Sequence, residues 1–140
     1  MSYSDVRETI KTVVPYLRVS TDAQAEKFSL PAQDKLTREI AARHGWEVAK
    51  VYRDEGYSGS LIEKRPAFFA LLQDAAKRRF DAVVVTDFDR LTRPDNLRDL
   101  GRIQEVFIEH DIKIVTLSDM IDLSNDDQWF PPLRKGHSRF

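Results

Sequence analysis

Ala82-Val83-Val84-Val85-Thr86, continued at once by Asp87-Phe88-Asp89-Arg90-Leu91-Thr92-Arg93, is the stretch from which the fold of this chain is read. A short, continuously apolar and β-branched run bounded by polar residues is the pattern of a strand covered by helices on both faces, as in parallel sheets. The residues after the run are polar and rich in arginine, so the strand delivers charge to its carboxyl end.

The flanks agree with that reading. Upstream, Pro66 opens a helical repeat in which Phe68, Phe69, Leu71, Leu72, Ala75 and Ala76 recur at three- and four-residue spacing as far as Lys77. Downstream, residues 95–110 carry Leu97, Leu100, Ile103 and Phe107 on one helical face, and residues 113–117 form another strand. Nearer the amino terminus, residues 12–17 read as the first strand, with Pro15 its awkward member because proline cannot donate to a ladder. Residues 30–43 are helical, with Pro31 in the first turn and Gly45 as the stop; residues 46–52 make a second strand, and 53–65 a loop or lid. Strand and helix alternate with short connections. That argues for an α/β fold with an open, mostly parallel sheet of four or five strands flanked by helices and joined by right-handed crossovers.

Ligands of such sheets bind beyond the carboxyl ends of the strands. Arg18 and Ser20 lie after the first strand, Asp54 and Ser58 after the second, and residues 87–93 after the third. One edge therefore gathers a serine, several arginines and one or two aspartates.

Composition sets outer bounds. The chain has 140 residues, 41% hydrophobic and 32% charged, which suits one globular domain. Lysine and arginine number 22 against 23 acidic residues, a net charge of -1, so no global basic field points to nucleic acid. The absence of cysteine removes disulfides, thiolate catalysis and cysteine-ligated metals. The amino-terminal residues MSYSDVRETIKT carry charges of both signs without an apolar segment, unlike a secretory signal, and no run approaches the roughly 20 apolar residues of a membrane helix. The expectation is a soluble cytoplasmic protein without membrane partners.

Serine attacks poorly until a base takes its proton or a clamp stabilises the charge that develops. His44 and His110 both fall at helix ends, where the helix dipole explains them, so a Ser/His/Asp triad is the weaker reading. Asp87 and Asp89 are spaced as metal ligands could be, but Arg90 and Arg93 compete for their carboxylates; the plainer reading pairs Asp89 with an arginine and uses Asp87 as a strand-end cap. The metal site is the weaker reading of the two. Arg18, Arg65, Arg90 and Arg93 each have an ordinary reading as solvated side chains, yet around one serine they would make a clamp for phosphoryl transfer.

An ordered set of motifs goes further: Tyr16-Leu17-Arg18-Val19-Ser20-Thr21 with Gln24, Ser29-Leu30 with Gln33, Asp54-Glu55-Gly56-Tyr57-Ser58-Gly59, Arg65-Pro66, and Asp89-Arg90-Leu91-Thr92-Arg93. Together these residues, across 13–122, resemble the catalytic domain of the serine recombinases, the resolvase and invertase family. The four-residue insertion Ala25-Glu26-Lys27-Phe28 is more like the large members found in phages, integrases and mobile elements.

The resemblance implies a resolvase-like three-layer fold and site-specific DNA recombination through a 5′-phosphoserine intermediate, performed by homodimers that assemble into homotetramers. It implies Ser20 as nucleophile, Arg18, Arg90 and Arg93 as holders of the scissile phosphate, and Asp89 as general acid or arginine organiser. Arg65 matches a further phosphate contact, and Tyr16, Gln24, Gln33 and Ser58 match supporting polar positions. The resemblance also implies a bacterial or phage-encoded, nucleoid-associated protein.

The chain divides on this reading into a polar lead-in (1–12), the catalytic domain (13–122) and an irregular tail (123–140). In the family a long helix occupies that last region and leads to DNA-binding domains; here Pro131-Pro132 interrupts it. The expectation is a catalytic domain cut from a longer protein or naturally shortened, which is inactive or weak alone for want of the DNA-binding region. The alternatives are a regulatory or dimerisation module derived from a recombinase and a hydrolase of small phosphoesters.

Overall fold

The computed structural model describes residues 10–20, 27–56, 62–92, 97–118 and 120–121. The chain begins with strand β1 (Thr12–Val19), whose last seven residues are buried. Helix α1 (Leu30–His44) comes next, then the short strands β2 (Glu47–Val48) and β3 (Tyr52–Glu55), helix α2 (Pro66–Ala76), strand β4 (Ala82–Val84), helix α3 (Leu97–Glu109), strand β5 (Lys113–Val115) and strand β6 (Met120–Ile121). Two 3-10 turns, Ile62–Lys64 and Phe88–Arg90, lie before α2 and after β4.

The sheet runs β2-β1-β4-β5-β6, with β3 also paired to β1. Pairings among β1 to β5 are parallel, and β6 closes the edge antiparallel to β5. Alternation along the strands divides the core between two faces. Val14 and Tyr16 of β1 and Val83 of β4 pack with Phe68, Leu71 and Leu72 of α2 and Ile103 and Phe107 of α3. Val13, Ala82, Val84 and Val115 pack on the opposite face with Ile40 and Ala41 of α1 and with Trp46. The result is three layers, helix on sheet on helix, as expected.

Local chemistry explains the helix limits. The Ser29 hydroxyl accepts from the Ala32 N–H at 3.2 Å, Pro31 occupies the first turn of α1, and Gly45 ends the helix with a positive φ of 73°. His44 at that end stacks on Trp46 with ring centroids 4.5 Å apart.

The second strand departs from the sequence expectation, which made residues 46–52 continuous. Thr12 lies opposite Glu47, but Tyr16 lies opposite Tyr52, so one extra residue is inserted between β2 and β3. This is a bulge in register, and it accounts for Pro15. The carbonyls of Lys11, Val13 and Val19 accept from Glu47, Ala49 and Gly56 on one side, whereas that of Thr12 accepts from Asp81 on the other. Alternation puts the missing N–H of Pro15 on the side of β2 and β3, level with the break, where no ladder bond is lost. The strands also reach further than expected: β1 includes Arg18 and β3 includes Asp54, both within the sheet rather than in loops beyond it.

Candidate active site

The site forms where β1 outruns β4. Beyond Pro15 no β4 residue pairs with β1, so the peptide groups of Arg18 need other partners. Gln33, buried on α1, supplies them. Its Oε1 accepts from the Arg18 N–H at 3.0 Å and its Nε2 donates to the Arg18 carbonyl at 3.0 Å, with a second bond to the Phe28 carbonyl at 2.9 Å. A side-chain amide thus extends the ladder by one residue and fixes the backbone immediately before Ser20, which is half-buried.

Two guanidiniums cross at this point. Arg18 Nε donates to the Arg90 carbonyl at 3.0 Å and Nη2 to the Asp89 carbonyl at 2.7 Å. Arg90 Nη1 donates to the Arg18 carbonyl at 2.5 Å, and its Nε reaches Asp87 Oδ1 at 3.3 Å. Both arginines are buried, and the 3-10 turn after β4 is strapped to the end of β1. The carboxylate that pairs with Arg90 is Asp87, which also accepts from the Thr86 hydroxyl at 3.0 Å, whereas Asp89 is exposed and meets Arg18 through its main chain. The sequence expectation had these two aspartates the other way round. A strand-end position does not say which carboxylate turns inward.

Arg65 is fully enclosed. It stacks over the Phe68 ring at 4.4 Å and donates from Nη1 to the Arg90 carbonyl at 3.2 Å and to the Tyr16 hydroxyl at 3.5 Å. Its Nε and Nη2 atoms are buried without an acceptor among the described residues. In this conformation its side chain faces protein.

Below the arginines lies Asp54, which the sequence reading set at the strand-end edge and at the head of the Asp-Glu-Gly-Tyr-Ser-Gly motif without giving it a role. Its carboxylate accepts from the Tyr16 hydroxyl at 2.7 Å and from the Ala67 and Phe68 N–H groups at 2.9 and 3.0 Å. A strand aspartate thereby caps α2 from a distance, where the cap position itself is held by Arg65 without a side-chain bond. Burial raises the Tyr16 phenol far above its ordinary range; the Arg65 guanidinium opposes this, while the Asp54 charge adds to it. Tyr16 is a neutral donor throughout.

The structure thus brings together Tyr16, Arg18, Ser20, Gln33, Arg65, Asp89 and Arg90 of the expected residues. Gln24, Ser58 and Arg93 lie outside the described residues. His44 and His110 sit at the far ends of α1 and α3, on the side where the strands begin. Among the described residues no group of three or more His, Asp or Glu is arranged to hold a metal ion. Ser20 follows the end of β1, whose Arg18 interlocks with Arg90, both guanidiniums being buried.

The family model described as Resolvase, N terminal domain, matches residues 13–130. The chain belongs to this resolvase family. Among solved structures, this resolvase-family chain is similar to the N-terminal catalytic domain of TP901-1 integrase, with 30% identity and a TM-score of 0.73, covering 92% of this chain and 98% of that one. It is also similar to the catalytic domain of ISC1926 TnpA, an IS607-like serine recombinase, at 30% identity and a TM-score of 0.63, over 76% of this chain and 70% of that one. A curated relative from Bacillus subtilis (strain 168), "Putative DNA recombinase", is 33% identical over 125 residues, 89% of this chain. The chain spans about a quarter of that relative's length, 24%. It is a serine recombinase catalytic domain of the resolvase family in sequence and fold, and its likeness to an integrase domain agrees with the insertion before Ser29. No helix among the described residues is long and apolar enough to cross a membrane.

Proposed function

We propose that residues 13–122 form a domain that cleaves and rejoins DNA at a specific site through Ser20. The Ser20 oxygen attacks the phosphorus of a phosphodiester, forming a phosphoserine ester as the bond to the 3′ oxygen breaks; the serine gives up its proton and the departing oxygen gains one. Rejoining reverses these steps. Because one ester replaces another, the intermediate retains the energy of the broken bond, and no cofactor is called for.

The observation that carries this reading is the crossed pair Arg18 and Arg90 at the strand end that leads into Ser20. Fixed cations held before substrate arrives stabilise the charge of a phosphoryl transition state without reorganising. Arg90 and Arg93 act on the phosphate with Arg18, while Gln24 and Ser58 support the approach. Asp89, which is exposed, serves as general acid for the departing oxygen or organises the arginines. DNA is the substrate, and homodimers pairing into a tetramer are the working form, with specific DNA binding supplied outside the catalytic domain. A bacterial or phage-encoded protein working on DNA in the cytoplasm fits this.

A second reading has its own support. Arg18, Arg90 and Gln33 bond to main-chain groups, so they serve the fold even in a regulatory or dimerisation module without activity. The two readings part on one experiment. The protein is incubated with a library of nicked duplexes of randomised centre, and trapped material is resolved on denaturing gels and by peptide mass spectrometry. DNA attached to Ser20, absent from Ser20→Ala, supports the recombinase. A folded protein that attaches no DNA to Ser20 supports the module, and phosphate release without an adduct would mark a hydrolase.

A further inference from the structure

Ile62 to Phe68, the segment that presents Arg65, is pinned by a buried carboxylate at each end. At its far end Asp54 holds the N–H groups of Ala67 and Phe68. At its near end Asp99, in the first turn of α3, accepts from the Ile62 N–H at 2.9 Å across 37 residues of chain. The Ile62 carbonyl then accepts from the Arg65 N–H at 3.0 Å and closes the 3-10 turn. Asp99 is fully buried. A buried carboxylate is costly unless its oxygens are used, and the Ile62 N–H bonds one of them.

We propose that Asp99 is a positioning residue for the strand-transfer site and acts through Arg65. By fixing Ile62 it fixes the turn that ends at Arg65, and the Arg65 guanidinium holds the Arg90 carbonyl that Arg18 also grips. The path runs from α3 to the residues beside Ser20 through main-chain bonds with little slack. Asp99 needs to touch no DNA: its loss lets the segment drift, and a shift of about 1 Å in a reacting group costs up to roughly 100-fold in rate.

This inference rests on the recombinase reading, and its test separates the two. Covalent capture at Ser20 is measured in single turnover with saturating nicked duplex for wild type, Asp99→Ala, Asp99→Asn, Arg65→Ala and the double variant Asp99→Ala with Arg65→Ala. Affinity for the same duplex is measured alongside, and folding is monitored by thermal unfolding. Asp99→Ala is expected to slow capture about 10- to 100-fold with affinity changed by less than about twofold. Asp99→Asn, which keeps an acceptor oxygen, is expected to recover most of the rate. In the Arg65→Ala background the same Asp99→Ala change should add less than about twofold, because the group it positions is gone.

An unchanged rate in folded Asp99→Ala, a loss confined to affinity, or an equal loss with and without Arg65 overturns the proposal. Should Asp99→Ala not fold, Asp99→Ser carries the same comparisons. Failure of wild type to be captured although it binds the duplex removes the recombinase reading itself.

Discussion

Arg18 and Arg90 each hold the other's main chain: the Arg18 Nε donates to the Arg90 carbonyl at 3.0 Å, and the Arg90 Nη1 returns a bond to the Arg18 carbonyl at 2.5 Å. The two bonds join residues 72 apart, so the end of β1 and the turn after β4 form one body. Arg18→Lys and Arg90→Lys keep the charge but lose the fork. Each is expected to lower stability by about 2 kcal/mol, and the double variant by about 1 kcal/mol less than the two single losses combined. Urea unfolding of the four proteins checks this; strictly additive losses would mean that the bonds are independent.

Gln33 is expected to be intolerant of change in a particular order. Gln33→Leu leaves the N–H and carbonyl of Arg18 unpaired in a buried place, costing roughly 2–4 kcal/mol. Gln33→Glu keeps the acceptor for the N–H but sets a carboxylate against the carbonyls of Arg18 and Phe28. It should recover stability as pH falls and the carboxyl protonates, whereas Gln33→Leu should not. Thermal melts of both variants at about pH 5 and about pH 8 distinguish them.

Alkaline pH should weaken the fold through its phenols. Burial raises the Tyr16 phenol beyond its ordinary range, and burial together with the Asp74 bond raises that of Tyr52. A group bound more tightly by its proton in the folded state contributes full stability below its unfolded value, here about 10, and loses it as pH rises beyond that. Tyr16 and Tyr52 should ionise only on unfolding. Ultraviolet titration of wild type against Tyr16→Phe tests this. Early ionisation of Tyr16 in folded protein would contradict the buried Asp54 bond.

At the opposite end of the sheet the sign reverses. Burial pushes the Asp81 carboxyl up, but Arg78 and the N–H groups of Thr12 and Lys11 together bring it below its ordinary value. Its contribution is present above about pH 4 and fades as acid protonates it through the lowered folded value. Asp81→Asn should therefore cost about 1 kcal/mol at neutral pH, with the gap to wild type closing in acid. Paired denaturation curves across about pH 2–7 measure it.

Much of this was legible in the residues because periodicity reports burial. The runs at Val13 and Ala82, the helix beginning at Pro66 and the stop at Gly45 each express a local rule. Main-chain register is different in kind. The bulge between β2 and β3 leaves no mark on hydrophobic pattern, and only Pro15 hinted at it. Asp54 and Asp99 were equally hard to place, since each caps or tethers a segment far along the chain, and sequence distance hides such partners. The arginines were expected at the strand ends, but their bonds to carbonyls depend on three elements meeting and could not be read from any one of them.

The bulge beside Pro15 has a bearing on how copies of this chain can meet. The outer edge of the sheet is built from β2 and β3, and the shift in register between them leaves no more than the four residues Tyr52–Glu55 in one continuous frame, with Arg53 and Glu55 exposed there. A strand from another molecule that matched one half would fall out of step with the other, and charge would meet it on the way. At the opposite edge β6, among the described residues, is two residues long. Open-ended growth by strand addition is thus disfavoured along the edge that β2 and β3 build.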